Sequence, residues 1–250
     1  MNKYIKNALR YLLNKCGFDL IEYPPLNYDD LSLQIYHSVK DYTMTNLERV
    51  NALVEAIKYI EANNIGGTMV ECGIWKGGSA MAMALTLKML GNEEREIYLY
   101  DTFSGMNAPT DEDVLYDGTF ARKKYFETRI SDDSSAWCSW PLENVRNNVF
   151  STGYPKEKFH FIKGKVEDTI PQNVPESIAL LRLDTDWYES TRHELKYLYP
   201  LLSVNGIIII DDYGHWRGAK KAVDQYFSEN KLKILLNRVD YTARIGIKTA

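Results

Sequence analysis

Two apolar runs in this chain end in carboxylates. IALLRL, residues 178–183, is broken only by Arg182 and leads straight into Asp184 and Asp186. GIIII, residues 206–210, stops on Asp211 and Asp212. Runs without polar alternation are apolar on both faces, so each predicts a strand of a parallel sheet covered on both sides. In an open α/β sheet, ligands bind beyond the carboxyl ends of the strands. If these two strands are neighbours, Asp184, Asp211 and Asp212 converge there. Uncompensated carboxylates that close repel one another and raise at least one pKa. A hard divalent cation relieves the repulsion, and an all-oxygen ligand set suits Mg²⁺, Mn²⁺ or Ca²⁺. The alternative is local: Asp186 caps the helix after it, Asp212 pairs with Arg217 or Lys220, or other basic side chains neutralise the group.

The remaining pattern supports the same architecture. TMVEC (68–72), EIYLYD (96–101) and KFHFIKG (158–164) read as further strands. Helical spacing occupies 47–63, about 79–90, 190–202 and 217–230. The closing KILLNRVDYTARIGIK suggests a hairpin along one edge. The alternation predicts one domain over 1–250, an α/β sheet preceded by a helical segment in 1–65. Residues 103–155 are polar with scattered aromatics, and are expected to form a lid or substrate-binding insertion.

Charge and cysteine usage narrow the setting. A formal net charge of −4 gives nucleic acid no electrostatic footing. Cys16, Cys72 and Cys138 are odd in number and lack CxxC spacing, which argues for a reducing, cytoplasmic compartment without structural zinc. Neither a signal peptide nor a transmembrane segment is expected. Residues 1–18 read as a basic amphipathic helix set off by Pro24-Pro25: Ile5, Leu9, Leu12 and Leu13 share a side, with Lys3, Lys6, Arg10 and Lys15 around them. Packing on the body or on a partner subunit is favoured over a membrane surface, because the apolar face is short.

VECGIWKGGS places Gly73, Gly77 and Gly78 between a strand and a helix. The spacing is neither the dinucleotide GxGxxG nor a phosphate loop. Glu71 would repel a pyrophosphate but suits a cationic ligand, while Asp101 ends the next strand where an acid accepts hydrogen bonds from ribose hydroxyls. A nucleoside with a cationic tail is S-adenosylmethionine. The bland alternative is that Glu71 caps the helix and the glycines only make a turn.

VECGIWKGGS, YLYDTFSGM, LRLDTDWYEST and IIIIDDYGHWRGAKKAVDQYF together resemble the TylF/MycF family of metal-dependent O-methyltransferases, which methylate sugar hydroxyls in antibiotic biosynthesis. DYTMTNLERV matches as well, and the resemblance covers about residues 40–230. It implies the class I methyltransferase fold, a Rossmann-like seven-stranded sheet with an antiparallel last strand. It also implies Mg²⁺ on Asp184, Asp211 and Asp212, with Asp186 as general base and His215 as the next candidate. The donor would be held by Glu71, Gly73, Ser79, Asp101 and Asp184, with Thr102 and Phe103 beside it. Tyr42, Thr43 and Met44 would cover its methionine end, and Glu167 would contact adenine. Trp187, Tyr188 and Trp216 are candidates for an acceptor pocket or for core. A homodimer or larger assembly is expected. A phenol or catechol acceptor, an NAD-dependent dehydrogenase and a non-catalytic methyltransferase-like partner protein are the competing readings.

Overall fold

A computed structural model describes residues 3–18, 28–132 and 134–249; the Pro24-Pro25 break lies outside them. Helix α1 (Lys3–Lys15) is followed by α2 (Asp30–Val39) and α3 (Leu47–Ala62). Strand β1 (Thr68–Cys72), α4 (Gly78–Met89) and β2 (Ile97–Asp101) begin the alternating body. The next interval holds α5 (Ala121–Thr128), a small hairpin of β3 (Arg129–Ser131) and β4 (Ser134–Ser135), and α6 (Leu142–Phe150). Then come β5 (Phe159–Lys163), the single turn α7 (Val166–Thr169), β6 (Ile178–Leu183) and α8 (Tyr188–Leu198). The chain closes with β7 (Leu202–Ile210), α9 (Arg217–Glu229), β8 (Asn237–Arg238) and β9 (Arg244–Ile247).

Seven strands form one sheet in the order β5-β2-β1-β6-β7-β9-β8. The first five are parallel, and β9 runs antiparallel to β7, with β8 pairing back on it. The edge hairpin and the seven-stranded sheet with an antiparallel last strand are those expected. Strand periodicity divides the side chains between two cores. Met69, Leu99, Ile207 and Ile209 meet α2, α3, α4 and α6, whereas Val70, Tyr100, Ile208 and Ile210 meet α8 and α9. Every residue of β6 is buried, Arg182 included, so the apolar-run reading was correct and the arginine is its one polar cost.

Three departures from expectation bear on function. Residues 103–155 are not all lid: Val145 and Val149 of α6, spaced i and i+4, are wholly buried in the first core. Asp113 within that interval is also fully buried, accepting from the backbone N–H of Tyr188 at 2.8 Å and of Thr110 at 2.6 Å. It ties the segment to the start of α8. The side of α1 expected to pack on the body or on a partner subunit does not pack on the body, with Ile5, Leu9 and Leu12 all exposed. No helix among the described residues is long and apolar enough to cross a membrane.

Candidate functional site

The parallel register itself assembles the site. Glu71 pairs with Arg182 across β1–β6, and Leu183 with Ile210 across β6–β7. Beyond the strands the ladder runs one step further: Asp184 N donates to Cys72 O and Asp211 N to Leu183 O, each at 2.9 Å. Three side chains from two strand ends are thereby set side by side. One carboxylate oxygen from each of Asp184, Asp211 and Asp212 lies within 4.8 Å of the others. They form the floor of a cleft of about 360 Å³.

Arg182 is the centre of that floor. Its Nη1 donates to Glu71 Oε1 at 2.6 Å and to Asp184 Oδ2 at 2.7 Å, and its Nη2 to Asp211 Oδ1 at 2.7 Å. Arg49, on α3, donates to Asp211 Oδ2 at 2.5 Å and lies 3.2 Å from Asp240. The neutralising alternative therefore holds for Asp184 and Asp211. It fails for Asp212, since Lys220 bonds to Asp224 and Arg217 to the carbonyl of Tyr116. Asp212 Oδ2 is buried with no hydrogen-bond partner.

The electrostatics follow from this layout. Burial works against charge on Asp211, but Arg182 and Arg49 outweigh it and hold its pKa below the usual carboxylate range. Burial pushes Glu71 up to about 7 in spite of Arg182. Burial and then the charge of Asp186 drive Asp212 well upward. Asp186 is itself pushed up to about 7, chiefly by burial, with Asp184 adding to it. It does not cap α8, whose N-terminus has no side-chain cap of its own; at φ +68° it turns toward the cleft beside Asp212. Two carboxylates facing each other in this way share either a proton or a cation. His215 also lines the cleft, and burial followed by Arg49 lowers its pKa, leaving a neutral imidazole at pH 7.

Glycine geometry sets the opposite wall. Gly73 has φ +86°, and a Cβ there would fall well inside contact distance of the Asp184 carbonyl. Gly78 donates to Tyr42 O at 3.0 Å and leaves no room for a Cβ beside Thr43, so the 42–45 segment lies directly on the start of α4. Tyr42, Thr43, Met44, Glu71, Gly73, Ser79, Asp101 and Thr102 all line the cleft. Gly73→Ala should weaken S-adenosylmethionine binding at least tenfold and lower stability by roughly 1–3 kcal/mol for the backbone alone. Calorimetric titration and a thermal melt would read the two effects.

Several of the expected residues have further partners or a placement of their own. Glu71 lies within β1 rather than in the turn, and Arg182 already meets its charge. Asp101 spends both oxygens on the turns around it, accepting from Ile74 N and Phe103 N at 2.6 Å and from Trp75 N at 3.2 Å. It braces the turn after β1 and the turn after β2. Phe103 turns its ring into the core at φ +52° and is not on the cleft wall. Glu167 faces α8, where its Oε1 accepts from Ser190 at 2.8 Å, while Lys165, Val166 and Ser190 form the wall.

Trp187 and Trp216, candidates for an acceptor pocket or for core, both line the cleft, and Trp137, Lys124, Arg49 and Tyr241 beside them carried no local signal. Trp137, Trp187 and Trp216 stand in mutual ring contact, with centroids 4.9–6.0 Å apart. Lys124 places its ammonium 4.3 Å from the Trp137 ring centroid. Arg49 and Tyr241 complete that end. Arg182, by contrast, was visible as the one charge inside an apolar strand.

The sequence model of the macrocin O-methyltransferase family (TylF) matches residues 36–245. The chain is similar to a tetracenomycin rhamnosyl 4'-O-methyltransferase of Streptomyces olivaceus, at 31% identity over 84% of this chain and 76% of that one. It is similar also to the demethyldecarbamoylnovobiocin O-methyltransferase of Streptomyces niveus, at 32% identity over 74% of this chain and 67% of that one. The solved structure of the O-methyltransferase NovP superposes with a TM-score of 0.74 at 28% identity, covering 84% and 83% of the two chains.

Proposed function

The chain belongs to the macrocin O-methyltransferase (TylF) family, and on that premise we propose that it methylates a hydroxyl of a sugar or glycoside in the cytoplasm. S-adenosylmethionine is the donor, and Asp184, Asp211 and Asp212 would hold Mg²⁺. The single observation that carries the metal is Asp212. Its Oδ2 is buried, unpartnered and set beside Asp186. Glu71, Asp184, Asp186, Asp211 and Asp212 crowd one floor where Arg182 and Arg49 are the guanidiniums bonded to them. That donor set is all oxygen and over-charged, which fits a hard divalent ion.

Mg²⁺ at these carboxylates would polarise an acceptor hydroxyl and fix its position. The residues of the chain do the rest. The acceptor oxygen attacks the methyl carbon as the carbon–sulfur bond breaks, and sulfur leaves as a neutral thioether. The hydroxyl proton passes to Asp186, a general-base role typically worth about 10²–10⁴-fold. Neutral His215, on the same side, is the second acceptor for that proton. The three tryptophans line one end of the cleft, where apolar ring surface suits a sugar ring, and Tyr42 to Thr45 cover the donor from the α4 side. Alignment across the cleft contributes on the order of 7–11 kcal/mol when the reacting atoms are near attack distance, so positioning outweighs the base.

The test is transfer of label from methyl-labelled S-adenosylmethionine to a panel of glycosides and phenols, with Mg²⁺ or with EDTA. Label should appear on a glycoside and vanish in EDTA. Undiminished transfer in EDTA would remove the metal, and transfer confined to phenols would replace the acceptor class.

A further inference from the structure

We propose that Lys124 selects an acceptor sugar carrying an anionic group, a carboxylate or a phosphate; the inference rests on the sugar acceptor proposed above. Helix α5 is fixed beside the cleft by Ala121 and Tyr125, one turn apart and both buried. Ala121 packs with Trp187 and Trp216, and the Tyr125 hydroxyl donates to the carbonyl of Asp132 at 2.9 Å. Lys124 lies between these two anchors in the sequence and lines the cleft. Its ammonium stands 4.3 Å from the ring centroid of Trp137. That ring in turn meets Trp187 at 5.5 Å and Trp216 at 6.0 Å. Arg122, two residues earlier, is paired with Asp111. Lys124 forms no ion pair among the described residues.

An aromatic face attracts an ammonium without cancelling its charge. The charge of Lys124 is therefore held beside the three tryptophans, and none of its three N–H donors is spent on a carboxylate of the chain. A neutral sugar against those rings leaves the ammonium as it was. A sugar bearing a carboxylate or a phosphate gives it a charge-assisted hydrogen bond, roughly twice as strong as a neutral one. The other basic groups at this end are not available for that contact. Arg49 is held by Asp211 and Asp240. His215 is a neutral imidazole at pH 7, because burial and then Arg49 lower its pKa, and Lys124 adds to the effect. That Lys124 is felt at His215 places its charge at the end of the cleft where the acceptor reacts. It touches no reacting atom, so its role is selection of the acceptor and not the transfer itself.

Calorimetric titration of the full chain, with Mg²⁺ and S-adenosylhomocysteine present, tests this with glucuronic acid, glucose 1-phosphate and glucose. The two charged sugars separate a carboxylate from a phosphate, and glucose is the neutral reference. At least one charged sugar should bind about tenfold more tightly than glucose, and raised salt should narrow the gap. Lys124→Gln should close the gap and Lys124→Arg should keep most of it, with S-adenosylmethionine affinity unchanged in both. Glucose bound as tightly as both charged sugars would overturn the proposal and leave a sugar acceptor in place. A gap that survives Lys124→Gln would overturn it as well, assigning the anion to the metal. So would a loss of S-adenosylmethionine affinity in Lys124→Gln, which would give the ammonium to the carboxylate of the donor. Binding of none of the three, with methyl label confined to phenols, would show that the sugar acceptor itself had failed, and this inference with it.

Discussion

Asp212→Asn is expected to lower methyl transfer about 10²–10³-fold, the scale of losing one preorganised electrostatic contact at a reacting centre, and yet to stabilise the metal-free chain. The two signs come from one feature. Asp212 is the member of the trio with no guanidinium on it, and its carboxylate is held beside Asp186 by the turn at the end of β7. Without metal its charge is a cost, and an amide in its place donates to Asp186. Relief of about 1 kcal/mol would raise the melting temperature of a chain this size by about 2–4 °C. The pH dependence follows. Asp186 and Glu71 have folded pKa values raised to about 7, above their unfolded values near 4. Such acids leave stability intact below the unfolded pKa and erode it as pH rises toward the folded one. Metal-free wild type should therefore lose stability between about pH 4 and pH 7, and Asp212→Asn should lose less. Mg²⁺ should raise the melting temperature of wild type and not of the variant. Equal Mg²⁺ stabilisation of both proteins would show that the ion binds elsewhere.

How much of this site could be read without coordinates depends on which links are local. The strand ends were legible because a buried parallel strand has to be apolar throughout. A carboxylate that follows such a run can only sit at the edge of the sheet. Neighbouring strands then bring Asp184 beside Asp211 without further information. Side-chain direction was not legible. Phe103 and Glu167 each lie in a segment that borders the cleft, but a left-handed backbone turns the first into the core and the α7 turn points the second at Ser190. Nor was the second guanidinium on Asp211 legible across long separations. Arg49 reaches Asp211 from α3, and Asp240 returns from the closing hairpin to hold Arg49. Asp113 shows the same limit. In a polar stretch it looks like surface, yet it is fully buried and stands in for the missing cap of α8.

Arg182→Met is expected to cost about 3–5 kcal/mol, the usual penalty for removing one partner from a buried ion cluster, and to lower the melting temperature by roughly 10 °C. Met fills most of the volume, so the loss reports charge rather than a cavity. Glu71, Asp184 and Asp211 would be left on a dry floor with Arg49 alone to answer them. The pH profile carries the diagnosis. In wild type the lowered pKa of Asp211 stabilises the fold above its unfolded value, and that contribution fades as pH falls through the folded one. Without Arg182 all three acids move upward, so the deficit of the variant should be largest near pH 8 and shrink toward pH 5, where Glu71 is protonated. Chemical denaturation at those two pH values measures it. Adding Glu71→Gln should recover part of the loss at pH 8, because the uncompensated charge is then removed, and the two substitutions should be non-additive as expected for groups in contact. Additive losses would mean that the Glu71–Arg182 bond contributes little. Recovery of the fold with S-adenosylmethionine affinity still low would assign Glu71 a second job beside its Oε1 bond to Arg182, that of anchoring a cationic donor through the buried Oε2 that has no hydrogen-bond partner.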